Sequence, residues 1–200
     1  MTLLFSVNKC FRNTYIEGGK MIYLLRHGED DENYVGGWSD VRLTNKGIEQ
    51  VEEVSKFIKN LQISKVISSD IMRAKETAFI VSKHLKMPVQ FKPFLRELDK
   101  GLVTGMKVSE AKSKYPSAFK LGVAERYPNG ESMIEFYQRV KESMVYLEND
   151  NLYVTHRGYI NMLYFILSDR MPNLDKKQFG VEHASLHELD IQKKLIRRIK

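Results

Sequence analysis

Short apolar segments alternate with longer amphipathic ones along this sequence, and that alternation restricts the fold more than any other feature. Four segments are typical of buried strands: MIYLL at 21–25, KVISS at 65–69, VQF at 89–91 and NLYVT at 151–155. Apolar residues at helical spacing predict helices at 44–60, 71–86, 107–115, 131–147 and 158–167. The alternation predicts an α/β fold: a three-layer α/β/α sandwich around a mainly parallel sheet, in a single domain.

The ends of several elements carry their own signals. Thr44 is a suitable N-cap for the first helix, because its hydroxyl can accept a backbone N–H of the first turn. Pro88 lies just beyond the second helix and is expected to end it. At the C-terminus, SLHELD and KLIRRI predict a hairpin, and the basic residues of its second strand suit a solvated sheet edge.

Residues 1–20 precede the first predicted strand, which begins at Met21. The residues IEGGK before Met21 can be encoded by a purine-rich stretch that resembles a bacterial ribosome-binding site. We therefore expect Met21 to be the initiator and residues 1–20 to form an extension outside the core. The domain itself is then expected to span residues 21–200.

Composition restricts the class of protein but not its activity. Hydrophobic residues make up 42% of the chain and charged residues 28%, as in ordinary globular proteins. Cys10 is the only cysteine, so no internal disulfide can form, which suits a reducing compartment. No apolar run reaches the roughly 20 residues of a membrane helix. We expect a cytoplasmic protein without a membrane partner; its net charge of +7 suits small phosphorylated substrates or another anionic partner.

Polar residues with catalytic potential follow the predicted strands. Arg26, His27 and Gly28 follow the first strand, and His156 follows the strand at 151–155. Arg73 lies one turn into the helix after the second strand. Ligands bind beyond the carboxyl ends of the strands in open α/β sheets, so these side chains are expected to meet in one crevice.

Two histidines and two arginines in one crevice indicate a site for a dianionic phosphate, since arginine donates bidentately to phosphate oxygens. A histidine with an unprotonated reacting nitrogen can attack phosphorus and form a phosphohistidine, and His27 is the candidate. Gly28 is expected to let the backbone approach the imidazole or the phosphate closely. A carboxylic acid must also protonate the leaving alcohol, but this pattern does not select one.

Six short motifs occur in a fixed order along the chain. They are RHGEDDEN (26–33), LTNKG-x-x-Q (43–50), SSDIMRAKETA (68–78), LRELDKG (95–101), PNGES (128–132) and VTHRG (154–158). Together they resemble the histidine phosphatase superfamily, the group that includes cofactor-dependent phosphoglycerate mutase and many small phosphatases. The resemblance covers about residues 21–190.

The resemblance implies a phosphomonoester hydrolase with His27 as the phosphorylated nucleophile. Glu97 would be the proton donor and later the base for the hydrolytic water. The phosphate pocket that the resemblance implies contains Arg26, Gly28, Asn33, Arg73, His156 and, from the segment HAS, His183. Neither a metal nor an organic cofactor is implied.

Some positions depart from the family pattern. Arg157 stands where the family usually has glycine, and DKGLVTGMK (99–107) differs from the usual segment after LRE. The chain is shorter than the glycolytic mutases and lacks their lid-forming segments, so a phosphatase is favoured over a mutase. Basic residues in the loops at 100–130 weakly favour an acidic or multiply phosphorylated substrate; they are Lys100, Lys107, Lys112, Lys114 and Arg126.

Alternative interpretations remain for individual residues. The two histidines could be structural, Glu97 could pair with Arg96, and Arg73 could pair with Glu76. His183 and His187 have the spacing of a zinc pair on a helix, but a strand is expected there. The acidic residues at 29–32 could hold a metal, although a solvated loop is the favoured interpretation.

Alternative functions remain as well. A phosphoglycerate mutase or a catalytically silent phosphate-binding protein would use the same pocket. Nucleic-acid binding is disfavoured because the lysines are scattered rather than gathered in one stripe. The sequence contains no P-loop motif, and Cys10 cannot serve in a C-x5-R phosphatase motif because Ile16 occupies the arginine position.

Overall fold

The computed structural model describes residues 21–175 and 177–200. The predicted extension at 1–20 lies outside the described residues. The strands are β1 (Ile22–Arg26), β2 (Lys65–Ser68), β3 (Val89–Phe91), β4 (Asn151–Thr155), β5 (Leu186–Asp190) and β6 (Leu195–Arg198). The helices are α1 (Asn45–Ile58), α2 (Met72–Leu85), α3 (Val108–Lys114), α4 (Met133–Ser143) and α5 (Arg157–Leu167). None of these described helices is both long and apolar enough to cross a bilayer.

The strands form one six-stranded sheet in the order β3-β2-β4-β1-β5-β6. The first four strands in this order are mutually parallel, and β5 and β6 add an antiparallel hairpin. The predicted mainly parallel sheet and the C-terminal hairpin are therefore confirmed. The basic strand β6 lies at an edge of the sheet, also as predicted.

Two helical layers cover the sheet, because alternate residues of each central strand point to opposite faces. In β1, Leu24 belongs to the apolar cluster under α4 and α5, whereas Leu25 belongs to the cluster under α1 and α2. Tyr153 and Val154 of β4 divide in the same way. This arrangement confirms the predicted α/β/α sandwich.

The start of α1 and the end of α2 have the cap structures that their local sequences favour. The hydroxyl oxygen of Thr44 accepts the N–H of Gly47 at 3.0 Å and caps α1 as predicted. Helix α2 ends at Leu85, where Lys86 adopts a left-handed conformation with φ of 55°. The helix therefore ends before Pro88, which prevents its continuation.

The predicted helix at 131–147 was wrong at its C-terminal end. Helix α4 stops at Ser143 and a 3₁₀ turn follows at Met144–Tyr146. The Ser143 hydroxyl hydrogen-bonds the Val140 carbonyl at 2.7 Å, a local bond of the kind that competes with regular helix structure. The apolar residue Leu147 still reaches the core through this turn.

Gly28 has a packing role in addition to the predicted close approach of its backbone to the His27 imidazole, where the Gly28 carbonyl lies 2.7 Å from Nδ1. A Cβ at this position would lie 2.4 Å from the carbonyl oxygen of Gly47 and 2.8 Å from Cγ2 of Val51. Gly28 is therefore needed for the close approach of the loop after β1 to α1. Its own N–H donates to the Thr77 hydroxyl at 3.1 Å, so this amide is already used within the protein.

We expect Gly28→Ala to destabilise the fold by about 1–3 kcal/mol, because the added methyl must displace helix backbone. Urea denaturation of the variant and the wild type measures this free-energy difference. Gly36→Ala is the control, since a Cβ there would meet only Arg73 Nη2, at 3.9 Å. Equal destabilisation by both substitutions would contradict the packing role of Gly28.

Candidate active site

The candidate site lies at the carboxyl ends of three neighbouring parallel strands. His27 follows β1, Ser69 follows β2 and His156 follows β4. The backbone N–H of His27 donates to Thr155 and that of Ser69 donates to Val154, at 3.0 and 2.9 Å. The sheet ladder thus extends to the first residues of the site, which fixes their backbone positions.

His27 is buried and is held as a neutral imidazole. Its Nδ1 donates to the Gly28 carbonyl at 2.7 Å, and its Nε2 accepts from Nε of Arg73 at 3.1 Å. Burial, reinforced by the positive charge of Arg73, lowers the pKa of His27 well below its ordinary value. The proton is therefore on Nδ1, and Nε2 carries the lone pair, which accepts the hydrogen bond of Arg73.

Arg73 connects the nucleophile candidate to the loop after β1. It donates to the Gly37 carbonyl at 2.8 Å and to the Ser39 hydroxyl at 3.2 Å. Its Nε also lies 3.5 Å from a carboxylate oxygen of Asp30. The alternative pairing with Glu76 does not occur, because that carboxylate binds Arg42 and the backbone of Leu43.

Two buried nitrogen atoms near His27 have no hydrogen-bond partner among the described residues, Nε of Arg26 and Nδ1 of His156, and Nε2 of His183 has only Asp30, at 3.5 Å. The rings of His156 and His183 have centroids 5.2 and 5.7 Å from that of His27. Such a group of donors around one imidazole matches the requirements of a bound oxyanion.

The charges of these groups also favour an anion. Burial and the nearby charge of Arg157 lower the pKa of Arg26 to about 10, so the guanidinium is still charged at neutral pH. Burial and the charge of Arg73 lower the pKa of His156 well below its ordinary value. His156 is therefore neutral in this structure, with Nε2 hydrogen-bonded to the Ser69 hydroxyl at 2.8 Å.

Glu97 lies at the N-terminus of α5. Its two carboxylate oxygens accept the N–H groups of Leu98 at 2.8 Å and of Gly158 at 3.0 Å. A Cβ at position 158 would lie 2.0 Å from Oε1 of Glu97, so only glycine allows this approach. The alternative partner, Arg96, binds Asp70 instead.

The backbone at Glu97 is held by two long side chains. Its carbonyl oxygen accepts from Nε1 of Trp38 at 2.6 Å and from Nη2 of Arg139 at 3.1 Å. Arg139 also forms an ion pair with Glu131, whose other oxygen accepts the N–H of Asp99. This network positions the segment that carries Glu97.

Two adjoining cavities meet at Glu97. The first, of about 320 Å³, contains His27 and is also lined by Arg26 and Arg73. The second has a volume of about 360 Å³. Glu97 and Arg157 belong to the walls of both.

Not every predicted site residue is brought to this cavity. Asn33 is exposed, and its side chain donates to Asp31 rather than lining the cavity around His27. The expectation of a solvated loop at 29–32 was wrong for Asp30, which lies 3.5 Å from both Arg73 and His183. Burial opposes ionisation of Asp30, but these two neighbours hold its pKa below the ordinary value.

Sequence reasoning also missed Ser69, Trp38 and Arg139. Ser69 belongs to the motif SSDIMRAKETA, but nothing in the local sequence indicates that its hydroxyl contacts His156. The contacts of Trp38 and Arg139 with Glu97 join residues 59 and 42 positions apart, so no local periodicity could predict them.

The site fits a metal ion poorly. Donor atoms of His27, Asp30 and His183 lie within 4.8 Å of one another. However, Arg73 contacts both His27 and Asp30, and its charge would repel a cation there. His187 is not a partner for His183, because its two ring nitrogens are hydrogen-bonded to Tyr164 and Ser185.

We expect stability to fall as the pH decreases from about 6.5 to 4. Burial lowers the pKa of His187 from 6.5 to about 4 in the folded chain, so only the unfolded chain gains a proton over this range. This residue alone accounts for about 3 kcal/mol at pH 4. Urea denaturation at pH 7 and pH 4 tests this: His187→Gln should lose less stability than the wild type on acidification, and an equal loss would contradict the prediction.

The fold and the site describe an α/β protein with buried histidines and arginines at the carboxyl ends of its parallel strands. The chain belongs to the histidine phosphatase superfamily (branch 1), whose family profile matches residues 22–198. Curated relatives are probable phosphoglycerate mutases GpmB: the chain is 32% identical to that of Proteus mirabilis over 131 residues and 35% identical to that of Erwinia tasmaniensis over 130 residues. These matches cover 62% of this chain and 60% of each relative.

Solved structures resemble the chain over a larger share of its length. A putative α-ribazole-5′-P phosphatase from Escherichia coli is 26% identical, with a TM-score of 0.76, and the match covers 90% of this chain and 96% of that one. A mycobacterial glucosyl-3-phosphoglycerate phosphatase, at 23% identity, a TM-score of 0.69 and the same coverages, shares the fold. The homologues therefore include phosphatases and probable mutases.

Proposed function

We propose that this chain hydrolyses a small phosphomonoester through a phosphohistidine formed on Nε2 of His27. The observation that carries the proposal is the state of His27: Nδ1 is bonded to a carbonyl oxygen, and the Nε2 lone pair faces a cavity lined by buried arginines. A neutral imidazole in this tautomer is a nucleophile, and the surrounding cations stabilise the charge of the phosphoryl group.

The phosphate is held by the donors around His27. Arg73 moves its hydrogen bond from Nε2 of His27 to a phosphate oxygen, which frees the lone pair for attack. The unpartnered nitrogens of Arg26 and His156, together with Nε2 of His183, supply further donors. Of the family-implied pocket, Asn33 is left out because its side chain is bonded to Asp31, and Gly28 acts only through its carbonyl, which holds Nδ1 of His27.

In the first step, Nε2 of His27 bonds to phosphorus while the bond between phosphorus and the ester oxygen breaks. Glu97, in its protonated form, gives its proton to the leaving oxygen, and the alcohol departs. In the second step, Glu97 takes a proton from water, whose oxygen attacks phosphorus as the P–N bond breaks. Phosphate is released and both side chains return to their starting states.

A phosphoglycerate mutase activity is the second candidate, because the curated relatives carry that name. Hydrolysis is favoured by the match to the E. coli phosphatase, which covers 90% of this chain at 26% identity. The two activities differ in the acceptor: water in hydrolysis, a second hydroxyl in the mutase reaction.

The test is phosphate release from p-nitrophenyl phosphate in the presence of EDTA, with mass spectrometry of the rapidly quenched protein. We expect equal amounts of nitrophenol and phosphate, and a phosphoryl group on His27. A parallel assay follows 3-phosphoglycerate with a bisphosphoglycerate primer. Isomerisation without phosphate release would replace the proposal by the mutase activity, and binding of phosphate without either reaction would indicate a silent binding protein.

A further inference from the structure

The second cavity, here called the alcohol cavity, indicates which substrates the site accepts. We infer that the alcohol of the substrate is a largely apolar group that carries no negative charge at its far end, away from the ester oxygen. This inference rests on the proposed function, because it takes His27 as the residue that receives the phosphoryl group.

The position of Glu97 directs the alcohol into this cavity. The ester oxygen must lie between phosphorus, at His27, and the carboxyl group that protonates it. Glu97 lies in the walls of both cavities, and Arg157 lies beside it in the same shared wall. The rest of the alcohol, which is bonded to the ester oxygen, therefore continues past Glu97 into the alcohol cavity.

The walls of the alcohol cavity beyond this shared part are mainly apolar. They include the buried side chains of Leu98, Val103, Phe136 and Met162, together with Leu121 and Leu174. A volume of about 360 Å³ lies within the range of cavities that hold drug-sized ligands. Burial of apolar substrate groups against these side chains favours binding in proportion to the buried area.

The distribution of charge is the decisive observation. Among the described residues, the two cations of the alcohol cavity, Lys100 and Arg157, both lie in the part shared with the His27 cavity. Beyond it the charged residues are Glu125 and Asp175, which accept backbone N–H groups of their own loops. A negative charge at the far end of the alcohol would meet these acids, whereas a charge next to the ester oxygen would lie near Lys100 and Arg157.

Most of the basic residues that suggested an acidic substrate from the sequence lie away from both cavities. Of Lys100, Lys107, Lys112, Lys114 and Arg126, only Lys100 lines a cavity. Lys114 pairs with Glu110, and Arg126 binds the Gly130 carbonyl. The expectation of an acidic substrate stays a prediction, and in this part of the chain only Lys100 supports it.

The test compares ethyl, butyl and hexyl phosphate with 6-(phosphonooxy)hexanoate, a six-carbon substrate that carries a carboxylate at its far end. The alkyl series keeps the acidity of the leaving alcohol nearly constant, so differences in kcat/KM report on binding of the alkyl group. We expect kcat/KM to rise about fourfold for each added methylene, as burial of that group predicts. We expect 6-(phosphonooxy)hexanoate to be hydrolysed less efficiently than hexyl phosphate.

Two matched variants test whether the substrate preference arises in the alcohol cavity. Leu174 and Met171 are both exposed and belong to the same loop, but only Leu174 lines the alcohol cavity. Leu174→Lys should reduce the preference for hexyl over ethyl phosphate at least threefold and improve kcat/KM for 6-(phosphonooxy)hexanoate, whereas Met171→Lys should leave both quantities unchanged.

The outcomes separate the two proposals. Equal kcat/KM along the alkyl series, a preference for 6-(phosphonooxy)hexanoate over hexyl phosphate, or the same response from both variants would overturn the inference and leave phosphatase activity in place. If no substrate yields phosphate and no phosphohistidine forms on His27, both the inference and the proposed function fail.

Discussion

His27→Ala is expected to lower kcat for p-nitrophenyl phosphate by about 10⁴-fold or more, the scale of loss seen when a covalent nucleophile is removed. The Nε2 atom of His27 is the nucleophile in the proposed reaction, and its Nδ1 is held by the Gly28 carbonyl. Steady-state phosphate release measures the effect, and mass spectrometry should detect no phosphoenzyme.

His84→Ala is a suitable control for this substitution. His84 is at the end of α2, where it contacts Glu52 on the protein surface. We expect this variant to retain the turnover of the wild type. If His27→Ala keeps activity within tenfold of the wild type while its circular dichroism is native, water or another group attacks phosphorus directly and the phosphohistidine mechanism is wrong.

Glu97→Gln is expected to have an effect that depends on the leaving group. For an alkyl phosphate, the alkoxide needs a proton as it leaves, so kcat should fall by about 10²–10⁴-fold. The first step with p-nitrophenyl phosphate should be much less affected, because nitrophenolate is a stable anion. Stopped-flow measurement should therefore show a burst of nitrophenol followed by slow turnover, because the hydrolytic water has lost its base.

Phosphorylated His27 should accumulate during that slow phase and be detectable after rapid quenching. Glu110→Gln serves as the control, because Glu110 pairs with Lys114 at the surface of α3. A uniform loss with both leaving groups and no burst would show that Glu97 positions the substrate rather than transferring protons.

The chemistry of the site could be predicted from the sequence because a parallel sheet fixes where its strands end. His27 and His156 are 129 positions apart, but each comes directly after a buried strand of the same sheet. The two side chains therefore lie close together because β1 and β4 are neighbours in the sheet. Selecting Glu97 required the family motif, because its contact with Gly158 joins a loop to the first turn of α5, 61 positions along the chain.

Local geometry explains most of the successful predictions of secondary structure. The Thr44 cap and the alternation of Leu24 and Leu25 between two layers depend on near neighbours in the chain. The end of α4 was mispredicted because the apolar spacing continues to Leu147, although the backbone changes to a 3₁₀ turn after Ser143. Apolar periodicity shows which residues are buried, but it does not show whether the backbone hydrogen bonds there are those of an α-helix or of a 3₁₀ turn.

The sequence by itself determined the layered α/β fold and the residue types that meet at the carboxyl edge of the sheet. These follow from strand and helix periods, which act over a few residues. Only the tertiary structure decided that Gly28 packs against α1, that Asn33 faces Asp31, and that the cavity beyond Glu97 has mainly apolar walls with two acids. Those properties depend on side chains from distant segments at contact distance, and such contacts are set by packing of the whole domain.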